Sequence, residues 1–255
     1  MNTITNTVLM VDFLKTDFRK QLILHIPHSK TKIPFMDGFN TDLIESETNL
    51  LVDHATDEIF NIPDVDSLVF EYNRIFCDVE RLDDKDEHLF KKGRGFYYTH
   101  TDDGKVLREL LPNVKEIIKK DFYDKHHKKL ESLTEERLSQ YNTAFIIDCH
   151  SFTDEPFKSD IDKKINRPDI CLGTDEYHTP KWLLTQIKNG FERNKLSVEI
   201  NSPYSGTIIP LKFYKKDNRV KGIMIEINRK LYIENGKING DKVQRLNKII
   251  TDILV

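Results

Sequence analysis

The residues best suited to chemistry are two histidines that each follow an apolar run. His150 lies near the end of residues 144–151, a short apolar segment that ends abruptly in polar residues, and His28 comes just after the apolar residues 21–26. Because side chains alternate between the two faces of a strand, Asp148 and His150 point the same way. One interpretation is a strand end with an inert, hydrogen-bonded histidine. The other is a metal ligand with a carboxylate close by.

Two histidines at strand ends and one carboxylate make a three-ligand site with an open fourth position, which is the arrangement of catalytic zinc. The carboxylate would come from the segment that follows His28, where Asp53 and Asp57 lie four residues apart in a predicted helix. Residues at that spacing share one helix face. The alternative for both aspartates is a solvated helix face, so the residues alone leave the third ligand open.

Glu226 lies within residues 222–227, an otherwise apolar run that reads as a buried strand. An ionised carboxylate is expensive to bury unless it is paired or bound to a metal. The sequence therefore predicts either an ion pair with a nearby arginine such as Arg229 or a general base with a raised pKa.

Four arginines, Arg74, Arg81, Arg94 and Arg229, follow predicted strands or lie in the loops between them. The planar guanidinium suits bidentate recognition of a carboxylate, so one or two of them in a pocket would indicate an anionic substrate. The simpler alternative for each is an ion pair at the surface.

Apolar periodicity and turn residues predict alternating strands and helices, and therefore an α/β layered domain with a mixed, largely parallel sheet. No linker composition divides the chain, so we expect a single domain over residues 1–255. The polar residues 152–167 are long enough for a mobile lid. The predicted strands are 21–26, 67–72, 75–79, 144–151, 169–173, 196–200 and 222–227, and the predicted helices are 41–60, 112–139, 180–194 and 241–254.

Composition excludes several classes of protein. The net charge of −3 and the scattered basic residues give no case for nucleic-acid binding. No apolar run is long enough to span a membrane, and the N-terminal residues do not resemble a secretory signal. The three cysteines, which include no CxxC pair, predict buried free thiols and a cytoplasmic location.

Six short motifs occur in a fixed order along the chain, and together they resemble the N-formylglutamate amidohydrolase family. The resemblance extends from about residue 22 to residue 232. It implies an α/β/α sandwich similar to that of the zinc carboxypeptidases, a single zinc ion, and hydrolysis of N-formylglutamate to formate and glutamate in histidine degradation. The motifs are residues 26–29, 53–60, 72–74, 148–151, 201–206 and 225–229.

Carried over to this chain, the resemblance implies that His28 and His150 bind zinc with a carboxylate from residues 53–57, for which we prefer Asp57. Glu226 matches the position of the base. The implied substrate is a small anionic N-acyl amino acid. The residues implied to hold it are Arg74, Arg94, Asn201, Tyr204 and Arg229.

Two departures from the family pattern lie near the expected pocket. Lys30 replaces the usual glycine after the first His-Ser, and residues 79–82 read Val-Glu-Arg-Leu where the family has Asn-Arg-Pro. These departures leave the identity of the substrate open. The alternatives are another zinc amidohydrolase or carboxypeptidase-like enzyme acting on N-acyl amino acids or small peptides, and a binding protein without turnover.

Overall fold

The computed structural model describes residues 18–82 and 89–255. Its central sheet has six strands, which are β1 (Leu22–Ile26), β2 (Asp66–Val69), β3 (Ala144–Phe152), β4 (Ile170–Gly173), β5 (Val198–Ile200) and β6 (Val220–Asn228). The spatial order is β2-β1-β3-β6-β4-β5. All neighbours are parallel except β4 and β6, which are antiparallel. The predicted mixed, largely parallel sheet is confirmed.

The helices are α1 (Thr41–Leu51), α2 (Thr56–Ile59), α3 (Pro112–Ile118), α4 (Asp124–Tyr141), α5 (Lys181–Arg193) and α6 (Gly240–Leu254). One π-helical turn, Lys119–Tyr123, joins α3 to α4, and a short hairpin of β7 (Ile233–Glu234) and β8 (Lys237–Ile238) precedes α6. Within the two described ranges, no helix combines the length and the apolar character needed to cross a membrane.

The two faces of the sheet differ in chemistry. One face is apolar along the length of its central strands, and Leu24, Ile147 and Ile225 belong to a cluster that also contains Ile187 of α5 and Ile250 of α6. Burial of this apolar surface is the main force that stabilises the sheet against these helices. Helices on this face, and α4 on the other, make the layered α/β architecture that the sequence predicts.

The opposite face is apolar only near the start of its strands, where Ile146 and Val220 pack with Leu130 of α4. Toward the carboxyl ends of β1, β3 and β6 the side chains become polar and remain buried, beginning with His25 and Asp148. Ligands of open α/β sheets bind at this edge of the sheet.

Two predicted elements are wrong in ways that affect the site. The predicted helix 41–60 breaks between α1 and α2, where Ala55 adopts the left-handed conformation with a φ of 61°. The predicted strand 75–79 is a buried turn instead, because the Asn73 side chain accepts a hydrogen bond from the Ile75 N–H at 3.0 Å. Such local side-chain hydrogen bonds favour turns over strands.

Candidate active site

Three buried side chains meet at the carboxyl edge of the sheet. His28, Asp53 and His150 each present one ligand atom, and the three atoms all lie within 4.8 Å of one another. Asp53 Oδ2 is 3.1 Å from His150 Nδ1 and 3.6 Å from His28 Nδ1. Two imidazole nitrogens and one carboxylate oxygen form a donor set that zinc accepts.

The break between α1 and α2 is what brings Asp53 to the histidines. The Asp53 N–H donates to the His28 carbonyl at 2.9 Å, which ties the break to the end of β1. Asp53 Oδ1 accepts from Arg229 at 2.9 Å, so the other carboxylate oxygen is left for the histidines. Burial opposes ionisation of Asp53, but His150, His28 and Arg229 outweigh it and lower its pKa.

Asp57, which was predicted to be the third ligand, does not lie beside the two histidines. Its carboxylate pairs with Lys30 at 2.6 Å and is partly exposed. The prediction assumed one continuous helix that would present Asp53 and Asp57 on the same face. Because the helix breaks at residues 52–55, only Asp53 reaches the histidines, and it takes the place assigned to Asp57.

The Nε2 atoms of both histidines lie within hydrogen-bonding distance of carboxylates. His28 Nε2 lies 2.9 Å from Asp78, and His150 Nε2 lies 3.0 Å from Glu80 and 3.1 Å from Asp148. Metal-binding histidines almost always have such a partner, which fixes the orientation of the ring. His28 Nδ1 is buried and has no hydrogen-bond partner, as expected of an atom reserved for a metal.

His25 contacts two of the carboxylates that bond His150. Its Nδ1 lies 2.9 Å from Asp148 and 3.3 Å from Glu80, and its Nε2 lies 2.8 Å from His126. Burial opposes a charge on His25, but Asp148 and Glu80 outweigh it and raise its pKa to about 9. His25, Glu80 and Asp148 also lie close enough to bind a metal. The raised pKa instead favours a protonated histidine between two carboxylates.

Replacing His25 by glutamine should weaken metal binding by roughly 10- to 100-fold, the range found for outer partners of metal ligands. The physical reason is that Asp148 and Glu80 lose the cation that orients them toward His150. Competition with a chelator of known affinity measures the change. His178→Gln is the matched control, because His178 is also buried but bonds the Val220 carbonyl away from the site. Equal metal affinity in His25→Gln and the parent would contradict this role.

Glu226 lies beside His150 in the parallel register of β3 and β6. It is buried, and its Oε2 has no hydrogen-bond partner. Burial raises its pKa to about 8. The alternative ion pair with Arg229 is not what the structure shows, since that guanidinium bonds Ser151 and Asp53.

A cavity of about 640 Å³ opens over these groups, and His28, Asp53, His150 and Glu226 all line it. The region predicted as a lid, residues 152–167, borders the cavity through Phe157 and residues 159–162. Its polar contacts are internal or reach neighbouring loops and the strands β5 and β6.

The structure brings three of the five predicted substrate-binding residues to the cavity. Arg74 bonds Asp78 through Nε and Nη2 at 3.2 and 2.9 Å. Arg94 donates to Asp102 at 2.9 Å and also to Ser159. The Tyr204 hydroxyl donates to a carboxylate of the 152–167 segment at 3.0 Å. All three line the cavity.

The other two predicted residues lie outside the cavity lining. Arg229 donates a hydrogen bond to Asp53 and orients its carboxylate. The side chain of Asn201 exchanges two hydrogen bonds with Thr174, each 2.8 Å long. Sequence reasoning could not separate these roles, because both residues follow strands in the same way as the residues that do reach the cavity.

Sequence reasoning also missed four residues that support the site. Asp78 and Glu80 bond the histidines of the triad. Asp78 was predicted to lie in a strand, and Glu80 belongs to residues 79–82, which depart from the family pattern. His126 lies in the predicted helix 112–139 and is buried against His25. Asp78 is the one polar residue in the otherwise apolar run 75–79, and that was the available signal for it. His25 lies inside the predicted first strand 21–26, which by itself indicated no role for it.

Comparisons with known proteins identify the family of the chain and support its fold. A family model described as N-formylglutamate amidohydrolase matches residues 20–233. A solved N-formylglutamate amidohydrolase from Ralstonia eutropha has a similar fold, with 19% identity, a TM-score of 0.78, and coverage of 92% of this chain and 91% of that chain.

A solved gene product from Agrobacterium tumefaciens also has a similar fold, with 16% identity and a TM-score of 0.67, and it covers 92% of this chain and 88% of that chain. No curated protein matches the chain. The family model covers most of the sequence, including every residue of the site described above. The chain therefore belongs to the N-formylglutamate amidohydrolase family.

Proposed function

We propose that this protein is a zinc-dependent amidohydrolase that cleaves the amide bond of an N-formyl amino acid such as N-formylglutamate, releasing formate and the free amino acid. Family membership supports amide hydrolysis. The observation that carries the metal assignment is the buried triad of His28, Asp53 and His150, in which the Nδ1 atom of His28 has no hydrogen-bond partner.

His28 and His150 would bind zinc through Nδ1, and Asp53 through Oδ2. Zinc in such a site lowers the pKa of a bound water and polarises the carbonyl of the substrate. Asp78, Glu80 and Asp148 keep the two imidazole rings in their binding orientation.

Glu226 is the general base in this proposal. It lines the same cavity as the triad, and its buried Oε2 has no hydrogen-bond partner. A raised pKa makes it a stronger base than an ordinary carboxylate. Glu226 would accept a proton from the attacking water and transfer it to the leaving amine as the C–N bond breaks.

Arg94 is our choice for the group that holds the carboxylate of the substrate. It is buried at the cavity wall, and its Nε has no hydrogen-bond partner. Arg74 is less suited, because Asp78 takes both its Nε and its Nη2.

Replacing Arg94 by lysine should raise KM by about tenfold, because a lysine cannot form the bidentate contact. The change in kcat should be smaller, since Arg94 would bind the ground state and the transition state alike. Arg137→Lys is a suitable control, because Arg137 is also buried but pairs with Asp66 at the far end of β2. A KM unchanged by Arg94→Lys would remove Arg94 from the substrate site.

The proposed activity is tested by incubating the zinc-loaded protein with N-formyl-L-glutamate and measuring formate release. We expect turnover that Glu226→Gln abolishes. The absence of formate from N-formylglutamate and from every other N-formyl amino acid tested would contradict the proposal. A cytoplasmic location is also part of the proposal, supported by the three cysteines, which are all buried free thiols.

A further inference from the structure

We propose that the cavity accepts a bulky apolar group next to the scissile amide, so that the preferred substrates are N-acyl amino acids with an apolar side chain or a longer acyl chain. This inference rests on the proposed amide hydrolysis and names its substrate class. The reaction is unchanged: water adds oxygen to the acyl carbon, the C–N bond breaks, and the amine leaves with the transferred proton.

Apolar side chains reach the cavity from several separate parts of the chain. Phe157 and Ile161 come from the 152–167 segment, Ile208 from the loop before β6, and Met224 from β6 itself. Met224 lies two residues before Glu226 on the same face of that strand, which places an apolar group directly beside the proposed base. The apolar lining is therefore next to the reacting centre as well as at the entrance.

The entrance carries apolar side chains that the fold itself does not bury. Ile161 is 77% exposed and Leu82 is 47% exposed, although both line the cavity. Exposed apolar groups that line a cavity mark a surface that a ligand can cover. An apolar substituent of the substrate would bury them.

The charges around the cavity argue against a second carboxylate on the substrate. Each arginine of the lining faces a carboxylate of the protein: Arg74 and Arg81 face Asp78, with Arg81 Nε 3.9 Å away, and Arg94 faces Asp102. The rim also carries Asp162. The Nε of Arg94 has no hydrogen-bond partner and would serve one carboxylate, whereas a second carboxylate would have to compete with these internal pairs.

The size of the cavity also favours a substrate with a larger apolar substituent. A volume of about 640 Å³ lies within the range that accommodates drug-sized ligands. A formyl group and one short side chain would leave much of the apolar lining in contact with water. A larger apolar substituent would fill it.

Two measurements test the preference. The zinc-loaded Glu226→Gln protein is titrated calorimetrically with N-formyl-L-leucine, N-hexanoyl-L-alanine and N-formyl-L-glutamate, and kcat/KM of the parent is measured for the same compounds. We expect at least one apolar compound to bind about tenfold more tightly than N-formyl-L-glutamate and to have a kcat/KM about tenfold higher. This is in line with the effect of a few methylene groups in an apolar pocket. Preference for N-formyl-L-leucine would assign the pocket to the side chain, and preference for the hexanoyl compound would assign it to the acyl group.

The apolar rim is tested with a pair of variants on one segment. Ile161→Ser should lower the ratio of kcat/KM between the preferred apolar compound and N-formyl-L-glutamate by about tenfold. Ile165→Ser is the control, because Ile165 is 70% exposed on the same segment but does not line the cavity. An equal effect of the two substitutions would contradict the assignment.

The possible failures are distinguishable. If N-formyl-L-glutamate binds and turns over at least as well as both apolar compounds, the substrate class proposed in this section is wrong while the amidohydrolase proposal stands. If no compound is hydrolysed by the zinc-loaded parent, the proposed function is wrong. The titration of Glu226→Gln then still decides the binding preference of the cavity.

Discussion

Glu226→Gln is expected to lower kcat by roughly 10²- to 10⁴-fold and to leave zinc content unchanged, because the variant removes a general base without removing a metal ligand. Glutamine has nearly the same shape, so the cavity should keep its volume. The measurement is kcat for formate release together with metal content by elemental mass analysis. The matched control is Glu199→Gln, which replaces a partly exposed glutamate on β5 that pairs with Lys164. A variant with the turnover of the parent would show that Glu226 is not the base.

The same substitution should stabilise the metal-free protein at alkaline pH. Burial raises the folded-state pKa of Glu226 to about 8, so the folded protein holds a proton that the unfolded chain has lost above its own pKa of 4.5. The free energy of unfolding therefore falls as the pH rises between these values, by up to about 1.4 kcal/mol per pH unit. Glutamine does not titrate and avoids this loss.

Thermal unfolding of the parent and of Glu226→Gln at pH 5 and pH 9 tests this sign. The melting temperature of the variant minus that of the parent should increase as the pH rises. A difference that stays constant with pH would mean that Glu226 does not ionise in this range. A residue that destabilises the fold when it is charged is more readily explained by catalysis than by packing.

Asp53→Asn should lower zinc affinity by on the order of 100-fold, because the amide is a poorer ligand than the carboxylate and each ligand supplies a substantial share of the binding energy of zinc. Turnover at limiting zinc should fall in parallel. Asp57→Asn is the matched control, four residues away and paired with Lys30 outside the triad. Equilibrium dialysis against buffered zinc measures both. Loss of zinc in Asp57→Asn with retention in Asp53→Asn would reverse the assignment of the third ligand.

The sequence was most informative where apolar runs end in polar residues. The strands that carry His150 and Glu226 were predicted within a few residues, because long apolar runs with abrupt ends have few alternatives in an α/β protein. The α/β architecture followed from the same alternation of strands and helices. The placement of His28 after β1 was predicted for the same reason.

Long-range geometry is what the sequence could not provide. The choice between Asp53 and Asp57 depends on a helix break at Ala55, and alanine gives no sequence signal for a left-handed conformation. Arg229 and Arg94 follow similar local patterns, yet one orients Asp53 and the other lines the cavity. Their roles depend on which carboxylate lies opposite each of them in the folded chain.

In the proposed function, His28, Asp53 and His150 bind a zinc ion on which amide hydrolysis depends. The most direct test is formate release from N-formyl amino acids by one protein preparation before chelation, after chelation, and after zinc is returned, with metal content measured at each stage. We predict about one zinc per chain, loss of activity when zinc is removed, and recovery when it is restored. Undiminished hydrolysis by protein shown to contain no metal would contradict the account.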